Sequence, residues 1–268
     1  MTLGPREIND LLARAGRHPS RALGQNFVAD PNTVRRIAAL AGVGPGDRVV
    51  EIGAGLGSLT LALRETGADV TAIEIDHHLV PLLRETVEPV GVRVIEADAM
   101  TFDWQALLGQ DHVTLVANLP YNIATPLVAD LLDGVPQIER MLVMVQREVG
   151  ERLAAGVGDE HYGAVSVKVS YWAEAKVVGR VPPTVFIPQP KVDSALVSIV
   201  RRAELPADID FALVRAGFGQ RRKMLRRSLS GLVDDAAFAC AGVRPEARAE
   251  ELDVAAWGRL TACSRTPS

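Results

Sequence analysis

Residues 118–121 bring an amide, a proline turn and an aromatic ring together in the order Asn118, Leu119, Pro120 and Tyr121. They follow an apolar run at 114–117, which is typical of a buried parallel strand. An Asn amide both donates and accepts hydrogen bonds, and a Tyr ring offers a flat stacking surface. These groups suit a planar substrate with an exocyclic amine, such as a nucleobase. The alternative is an ordinary Asn-x-Pro turn after a strand. The other motifs of the sequence must decide between a nucleobase site and such a turn.

A glycine loop, Gly53-Ala54-Gly55-Leu56-Gly57, lies between a predicted strand and a predicted helix. Glycine lets the backbone turn sharply and lets a ligand approach without meeting a Cβ. The spacing differs from the Gly-x-Gly-x-x-Gly of dinucleotide folds, and no P-loop lysine follows. Taken alone, the loop fits a tight turn as well as a ligand cradle.

Three polar side chains, Glu74, Asp98 and Asn118, end the next three predicted strands. A carboxylate in the position of Glu74 can accept both hydroxyl groups of a ribose. Asp98 could accept a hydrogen bond from an adenine amino group. Each residue alone could be a solvated loop residue, but together, beside one glycine loop, they favour a nucleoside site.

Strands and helices alternate along the first part of the chain, which predicts an α/β fold with a doubly wound, Rossmann-like sheet. The predicted elements there are helices 6–15 and 31–41, strand 48–52, helix 58–65, strand 69–75, helix 77–87, strand 92–97, a short helix near Trp104, strand 112–117, helix 123–132, strand 139–145 and helix 147–155. Strands are also predicted at 165–171, 175–181 and 195–201, followed by helices at 209–218, 222–232, 235–241 and 254–262. This pattern predicts a sheet domain at 1–203 and a small all-α domain at 204–268.

Positive charge is concentrated in one segment, although the net charge of the chain is −4. Residues 215–227 contain six basic side chains and no acidic one, while the rest of the chain holds 23 basic and 33 acidic residues. A predicted helix here would place Arg221, Arg222, Lys223 and Arg226 on one broad face that can contact RNA phosphates. A merely solvated basic face is the alternative.

Several classes of protein are disfavoured by the sequence. The N-terminus has no secretory signal pattern, and no apolar run reaches the length of a bilayer span. Cys240 and Cys263 are interpreted as isolated thiols, which fits a reducing compartment. The five histidines show no ligand spacing, so no metal site is expected. We therefore expect a soluble cytoplasmic protein, and a monomer, without membrane contact.

Four motifs together resemble the ribosomal-RNA adenine N6,N6-dimethyltransferases, which are class I methyltransferases that use S-adenosylmethionine. They are Leu-Gly-Gln-Asn-Phe at 23–27, Asn-Leu-Pro-Tyr at 118–121, Phe-Ile-Pro-Gln-Pro-Lys-Val-Asp-Ser at 186–194 and Gln-Arg-Arg-Lys at 220–223. The resemblance extends from residue 23 to residue 260. It implies that the cofactor is S-adenosylmethionine, held by Asn26, Val28, Gly53, Gly55, Glu74, Asp98 and Asn118.

The resemblance is closest to the bacterial small-subunit enzymes, which dimethylate two adjacent adenosines in a hairpin near the 3′ end of 16S rRNA. It implies the small ribosomal subunit or its 16S rRNA as the partner. Two alternatives remain: a large-subunit rRNA adenine methyltransferase of the macrolide-resistance type, and a mainly non-catalytic small-subunit assembly factor.

The motif at 118–121 also predicts a mechanism. The Asn118 side-chain oxygen and the Leu119 carbonyl are expected to accept hydrogen bonds from the adenine amino group, while Pro120 stiffens the turn. Tyr121 is expected to stack on the flipped base. Phe186 would close the other face of the base or, alternatively, serve as a hydrophobic anchor. No general base is required.

Overall fold

The computed structural model describes residues 2–16, 18–19, 24–120 and 123–265. The chain forms two compact units, one of Met1–Gly150 with Lys176–Arg201, and one of Glu151–Ala175 with Arg202–Ser268. The sequence had suggested a single division at 203/204, so residues 151–175 lie in the second unit instead of the first. No helix of the described ranges is both long enough and apolar enough to cross a bilayer.

The described strands and helices follow the predicted alternation over most of the chain. The strands are β1 (Phe27–Val28), β2 (Arg48–Ile52), β3 (Asp69–Glu74), β4 (Arg93–Glu96), β5 (Val113–Asn118), β6 (Ile138–Gln146), β7 (Ala173–Val181), β8 (Phe186–Ile187) and β9 (Ser194–Arg201). The helices are α1 (Pro5–Arg14), α2 (Pro31–Ala41), α3 (Ser58–Glu65), α4 (Val80–Val87), α5 (Trp104–Leu108), α6 (Ala124–Gly134), α7 (Arg147–Ala154), α8 (Ala164–Trp172), α9 (Phe211–Gly219), α10 (Leu225–Ser228), α11 (Asp235–Ala241) and α12 (Val254–Ser264).

The sheet has the strand order β4-β3-β2-β5-β6-β9-β7. Strands β2 to β6 pair in parallel, and β9 is antiparallel to β6. The chain runs outward from β2 through β3 to β4 and then returns to place β5 on the other side of β2. This reversal is a topological switch point, where open α/β sheets bind their ligands. The predicted doubly wound α/β sheet is confirmed.

Local sequence explains the elements that frame this switch point. The run at β5 is buried along almost its whole length, as expected for a parallel strand covered on both faces. Helix α2 begins where the Asp30 side chain accepts a hydrogen bond from the Thr33 N–H at 3.0 Å, and Pro31 occupies its first position. It ends at Gly42, whose φ of 62° is left-handed.

The predicted strand at 165–171 is wrong, because this segment forms helix α8 in the second unit. Its β-branched residues favour a strand locally, but such propensities are weak and tertiary packing overrides them. Val167 and Tyr171, one helical turn apart, both enter the core of the second unit. The Ser166 hydroxyl donates to the Arg152 carbonyl at 2.6 Å and so fixes the start of the helix.

The predicted helix at 222–232 is also wrong over most of its length. Only Leu225–Ser228 is helical, and it begins after Met224, whose backbone is extended. Before it, the Lys223 N–H donates to the Gln220 carbonyl at 2.7 Å, which closes a turn. The cations of this segment therefore do not follow helical spacing.

The interpretation of the two cysteines as isolated thiols is wrong as well. Cys240 on α11 and Cys263 on α12 form a disulfide in the second unit, with Cα atoms 6.0 Å apart. The residues are 23 positions apart in sequence and are brought together by the packing of these two helices. Neither their spacing nor their neighbours in the sequence could have indicated this pairing.

Candidate active site

A cleft of about 1000 Å³, counted with its open mouth, lies at the carboxyl ends of β2, β3, β4 and β5. The glycine loop, the strand ends and the segment at 24–28 line it. All the residues predicted to hold the cofactor line this one cleft, and so do three of the predicted catalytic residues, of which Asn118 belongs to both sets: Asn26, Val28, Gly53, Gly55, Glu74, Asp98, Asn118, Leu119 and Pro120. Tyr121 lies outside the described residues.

The glycine loop has a conformation that requires glycine. Gly53, Gly55 and Gly57 have φ values of 72°, 59° and 94°, which disfavour any side chain. A Cβ on Gly55 would come within 3.0 Å of the Phe27 ring, and a Cβ on Gly53 would come within 3.5 Å of the Asn118 carbonyl oxygen. Glycine is therefore required at these positions by the backbone conformation and by close packing, and Gly53 and Gly55 border the cleft without a side chain.

Glu74 ends β3 with a buried carboxylate that ties two loops together. Its Oε2 accepts a hydrogen bond from the Gly55 N–H at 2.7 Å, and its Oε1 accepts from the N–H groups of Ile75 and Asp76 at 3.1 and 3.0 Å. Burial raises the pKa of Glu74, while these backbone N–H groups oppose the rise. A carboxylate held in this way keeps lone pairs available for ribose hydroxyl groups.

Asp98 follows β4 and is partly buried at the edge of the cleft. Its Oδ1 accepts a hydrogen bond from the Met100 N–H at 2.9 Å, which fixes the orientation of the carboxylate. The side chain is thus held in place as a hydrogen-bond acceptor beside the cleft, as a contact with an adenine amino group would need.

Asn118 ends β5 with its amide oriented by the N-terminal segment. Its Nδ2 donates to the Asn26 carbonyl at 3.0 Å. This bond uses one of the two Nδ2 N–H donors, fixes the orientation of the amide and leaves Oδ1 available as an acceptor. Next to it, the Leu119 N–H donates to the Met144 carbonyl at 3.0 Å, and the Pro120 carbonyl accepts from the N–H groups that start α6.

Phe186 does not line the cleft formed by the described residues. Its ring is 4% exposed and belongs to the core of the sheet unit. Strand β8 pairs with β1, so that Val28 lies opposite Phe186 and Phe27 opposite Ile187. This packing favours the hydrophobic anchor over a stacking surface for the base.

The segment at 24–29 contributes contacts that local sequence patterns did not predict. The Gln25 Nε2 donates to the Asp76 Oδ2 at 2.7 Å, which fastens this segment to the loop after Glu74. The Phe27 ring packs against Gly55. The partner of Gln25 lies 51 positions away in sequence, and the partner of Asn118 lies 92 positions away. Contacts between residues so far apart leave no signal in the local sequence.

Glu51, on β2, also lines the cleft, although it was not among the residues predicted to hold the cofactor. Its side chain is 1% exposed, and its Oε2 has no hydrogen-bond partner within the described residues. Burial raises the pKa of Glu51 to about 8, and the nearby Glu74 carboxylate adds to the rise, whereas the Thr60 hydroxyl opposes it. Glu51 is therefore a neutral acid at neutral pH.

The basic segment is partly neutralised by its own unit. Arg221 pairs with Glu250 at 2.7 Å, and Arg226 pairs with Glu246 at 3.4 Å. Arg222 and Lys223 are exposed. All four cations predicted to contact RNA are therefore exposed, and two of them, Arg221 and Arg226, are also ion-paired within the unit.

One group of side chains has the composition of a metal site in the described part of the chain. Asp76, His77 and His78 place one ligand atom each within 4.8 Å of one another, a proximity that the sequence analysis did not anticipate. Both histidines are exposed, and Asp76 already accepts hydrogen bonds from Gln25 and from the His78 N–H. This group does not line the cleft.

The switch point, the glycine loop and the acidic strand ends define a class I methyltransferase, whose cofactor is S-adenosylmethionine. The family described as ribosomal RNA adenine dimethylase matches residues 18–263. The chain belongs to this family, which confirms the predicted enzyme class and cofactor.

Relatives with the same overall length carry one name. "Ribosomal RNA small subunit methyltransferase A" of Streptomyces coelicolor is 48% identical and covers 96% of this chain and 95% of its own. The protein of that name from Leifsonia xyli is 47% identical, with 97% and 98% covered. The crystal structure of the 23S rRNA methyltransferase ErmE is also similar, with a TM-score of 0.71 at 28% identity over 90% of this chain and 100% of that one.

Proposed function

We propose that this protein transfers methyl groups from S-adenosylmethionine to N6 of two adjacent adenosines in a hairpin near the 3′ end of small-subunit rRNA. One observation carries the choice of the small subunit. Relatives named for that subunit are 45–48% identical over nearly the full chain, whereas the large-subunit enzyme ErmE is 28% identical. Cytoplasmic location and action as a monomer belong to the same proposal.

The cofactor is held by its nucleoside and by the bare backbone of the glycine loop. Glu74 accepts hydrogen bonds from the ribose hydroxyl groups, and Asp98 accepts one from the adenine amino group. Asn26, Val28, Gly53 and Gly55, which line the same cleft, would hold the rest of the cofactor. The hydrogen bonds already made by Glu74 and Asp98 support these roles, because they fix both carboxylates before the ligand arrives.

The methyl transfer needs alignment more than it needs acid–base catalysis. The bound cofactor supplies a methyl group on a cationic sulfur, and the adenine amine is a weak nucleophile because its lone pair is delocalised. The Asn118 Oδ1 and the Leu119 carbonyl accept hydrogen bonds from that amine and so stabilise the positive charge that grows on nitrogen. The Asn26 carbonyl supports this role by holding Nδ2, at 3.0 Å.

The target base leaves its RNA stack to reach this point. Pro120 stiffens the turn, and Tyr121 stacks on the base, a contact worth roughly 1–3 kcal/mol. Arg222 and Lys223 contact RNA phosphates, because both side chains are exposed. Arg221 and Arg226 join them where RNA phosphates replace their glutamate partners.

The test is transfer of radiolabel from S-adenosylmethionine to 30S and 50S particles that lack the modification, followed by mapping of the labelled base. We expect label on two neighbouring adenosines of the 30S rRNA. Label in the 50S particle would replace this proposal with the macrolide-resistance type of activity. Tight binding to 30S particles without any transfer would indicate the assembly factor instead.

A further inference from the structure

The described lining of the cofactor cleft contains acidic side chains and no basic ones. Glu51, Glu74 and Asp98 line the cleft, and no Lys, Arg or His is among the described lining residues. Such a cleft favours a cationic ligand over a neutral one of the same shape. The methyl donor carries a permanent sulfonium charge, whereas the product, S-adenosylhomocysteine, has a neutral thioether.

The three carboxyl groups differ in how well their charge is compensated. Glu74 accepts hydrogen bonds from three backbone N–H groups, and Asp98 is only partly buried. Glu51 is fully buried, and its Oε2 has no partner within the described residues. The Ser58 hydroxyl, on the neighbouring helix, is buried without a partner within the described residues as well, whereas the Thr60 hydroxyl of the same helix interacts with the Glu51 carboxyl. Glu51 is therefore the group whose charge depends most strongly on what enters the cleft.

We propose that Glu51 is a proton-linked discriminator, whose carboxyl group releases a proton when the cationic methyl donor binds and regains one when the neutral thioether product remains. The cleft then holds the methyl donor more tightly than the product at neutral and mildly alkaline pH. The role depends on the cofactor and not on which RNA is methylated.

The charge balance of the reaction agrees with this role. One methyl group moves from sulfur to nitrogen, the carbon–sulfur bond breaks and its electron pair stays on sulfur. The methylated nitrogen loses a proton to solvent, and Glu51 takes one from solvent. A cleft that holds a sulfonium and a Glu51 carboxylate would become one that holds a thioether and a carboxylic acid, so the net charge of the site would be the same before and after transfer.

The pKa of Glu51 in the absence of a cationic ligand determines how the affinity for the methyl donor changes with pH. Burial raises the pKa of Glu51 to about 8, and Glu74 is the charged neighbour that adds to this. A nearby cation lowers that pKa, so binding of the methyl donor releases a proton, and affinity increases by at most about tenfold per pH unit as pH approaches 8. Binding of the neutral product has no such dependence on Glu51.

Isothermal titration in two buffers of different ionisation enthalpy measures the proton release directly. At about pH 7 we expect the wild type to release up to roughly one more proton with S-adenosylmethionine than with S-adenosylhomocysteine. An analogue in which a protonated amine replaces the methylated sulfur should behave like the methyl donor. Glu51→Gln keeps the shape of the neutral acid, and it should abolish the difference. Because the ligands carry an α-amino group that titrates in the same range, only the part removed by Glu51→Gln counts.

Thr60→Val gives a second test that retains Glu51. The Thr60 hydroxyl opposes the rise in the Glu51 pKa, so its removal should move the proton-linked binding of the methyl donor to higher pH. Equal proton release for donor and product in the wild type would overturn the proposal. So would a difference that survives in Glu51→Gln, or a pH profile that Thr60→Val leaves in place.

Discussion

At the scale of single residues, Asn118 carries two separate tasks on one amide. Its Nδ2 is bound to the Asn26 carbonyl, and its Oδ1 is the acceptor proposed for the target amine. We expect Asn118→Ala to reduce kcat by about 10²–10³-fold, as loss of one preorganised transition-state contact does elsewhere. The measurement is single-turnover methyl transfer, with cofactor binding followed by calorimetry.

Asn118→Asp serves as the matched control. It keeps acceptor oxygens but loses the donor to Asn26, and its charge repels that carbonyl. Its activity should lie between those of the wild type and Asn118→Ala. Near-normal turnover in a folded Asn118→Ala protein would remove Asn118 from the mechanism.

The raised pKa of Glu51 predicts how the stability of the cofactor-free protein depends on pH. Its pKa is about 8 when folded, against a reference value of 4.5, so between these values the folded protein retains a proton that the unfolded chain has lost. Stability from this group is greatest below the lower value and falls as pH rises towards the upper one, by roughly 1.4 kcal/mol per pH unit. Glu51→Gln should flatten this slope and raise the Tm most at alkaline pH. Parallel Tm profiles for the two proteins would contradict the assignment.

At the scale of elements, the segment that contains β1 links the cofactor loops to the rest of the sheet unit. It pairs with β8, packs on the glycine loop through Phe27, and is fastened to the loop after β3 by the Gln25–Asp76 hydrogen bond. Residues 24–28 of this segment line the cleft. Its contacts therefore fix the position of one wall of the cleft.

The Gln25–Asp76 contact can be tested with a double-mutant cycle. We expect Gln25→Ala and Asp76→Asn each to raise the KM for S-adenosylmethionine several-fold, with little change in the KM for RNA. Both substitutions disrupt the same contact. The loss of cofactor-binding free energy in the double variant should therefore be smaller than the sum of the two single losses, by about 0.5–1.5 kcal/mol. Full additivity in the cofactor KM would mean that the two side chains act independently.

At the scale of the whole molecule, the distribution of charge predicts how RNA binding depends on salt. Arg221, Arg222, Lys223 and Arg226 are all exposed, and Arg221 and Arg226 are in addition ion-paired within their unit. Replacing Arg222 and Lys223 together by Ala should reduce the slope of log K against log salt by roughly 1.4–1.8, the counterion release of two phosphate contacts. Binding is measured by filter retention or anisotropy over a salt series.

Arg35→Ala is the control for this experiment. Arg35 is a half-exposed cation of the sheet unit that pairs with Glu65 at 3.2 Å, so its removal changes net charge without touching the basic segment. It should leave the salt slope in place. A decrease in Arg35→Ala about half as large as that in the double variant would mean that only the net charge matters, because the control removes one positive charge and the double variant removes two.

The sequence by itself determined the features that depend on neighbouring residues. The alternation of strands and helices, the caps of α2 and the positions of the glycine loop and the polar strand ends all follow from short-range periodicity and turn chemistry. Parallel strands place their carboxyl ends at one edge, so Glu74, Asp98 and Asn118 could be assigned to one site before the structure was known.

The tertiary structure decided whatever depends on partners that are distant in sequence. Packing made residues 164–172 a helix despite their β-branched composition, joined Cys240 to Cys263, and paired Arg221 and Arg226 with glutamates. It also oriented the Asn118 amide through Asn26 and buried Glu51 without a partner for its Oε2 in the described chain. Local propensities amount to fractions of a kcal/mol per residue, whereas burial and hydrogen bonding between distant segments contribute more and settle these positions only once the chain is folded.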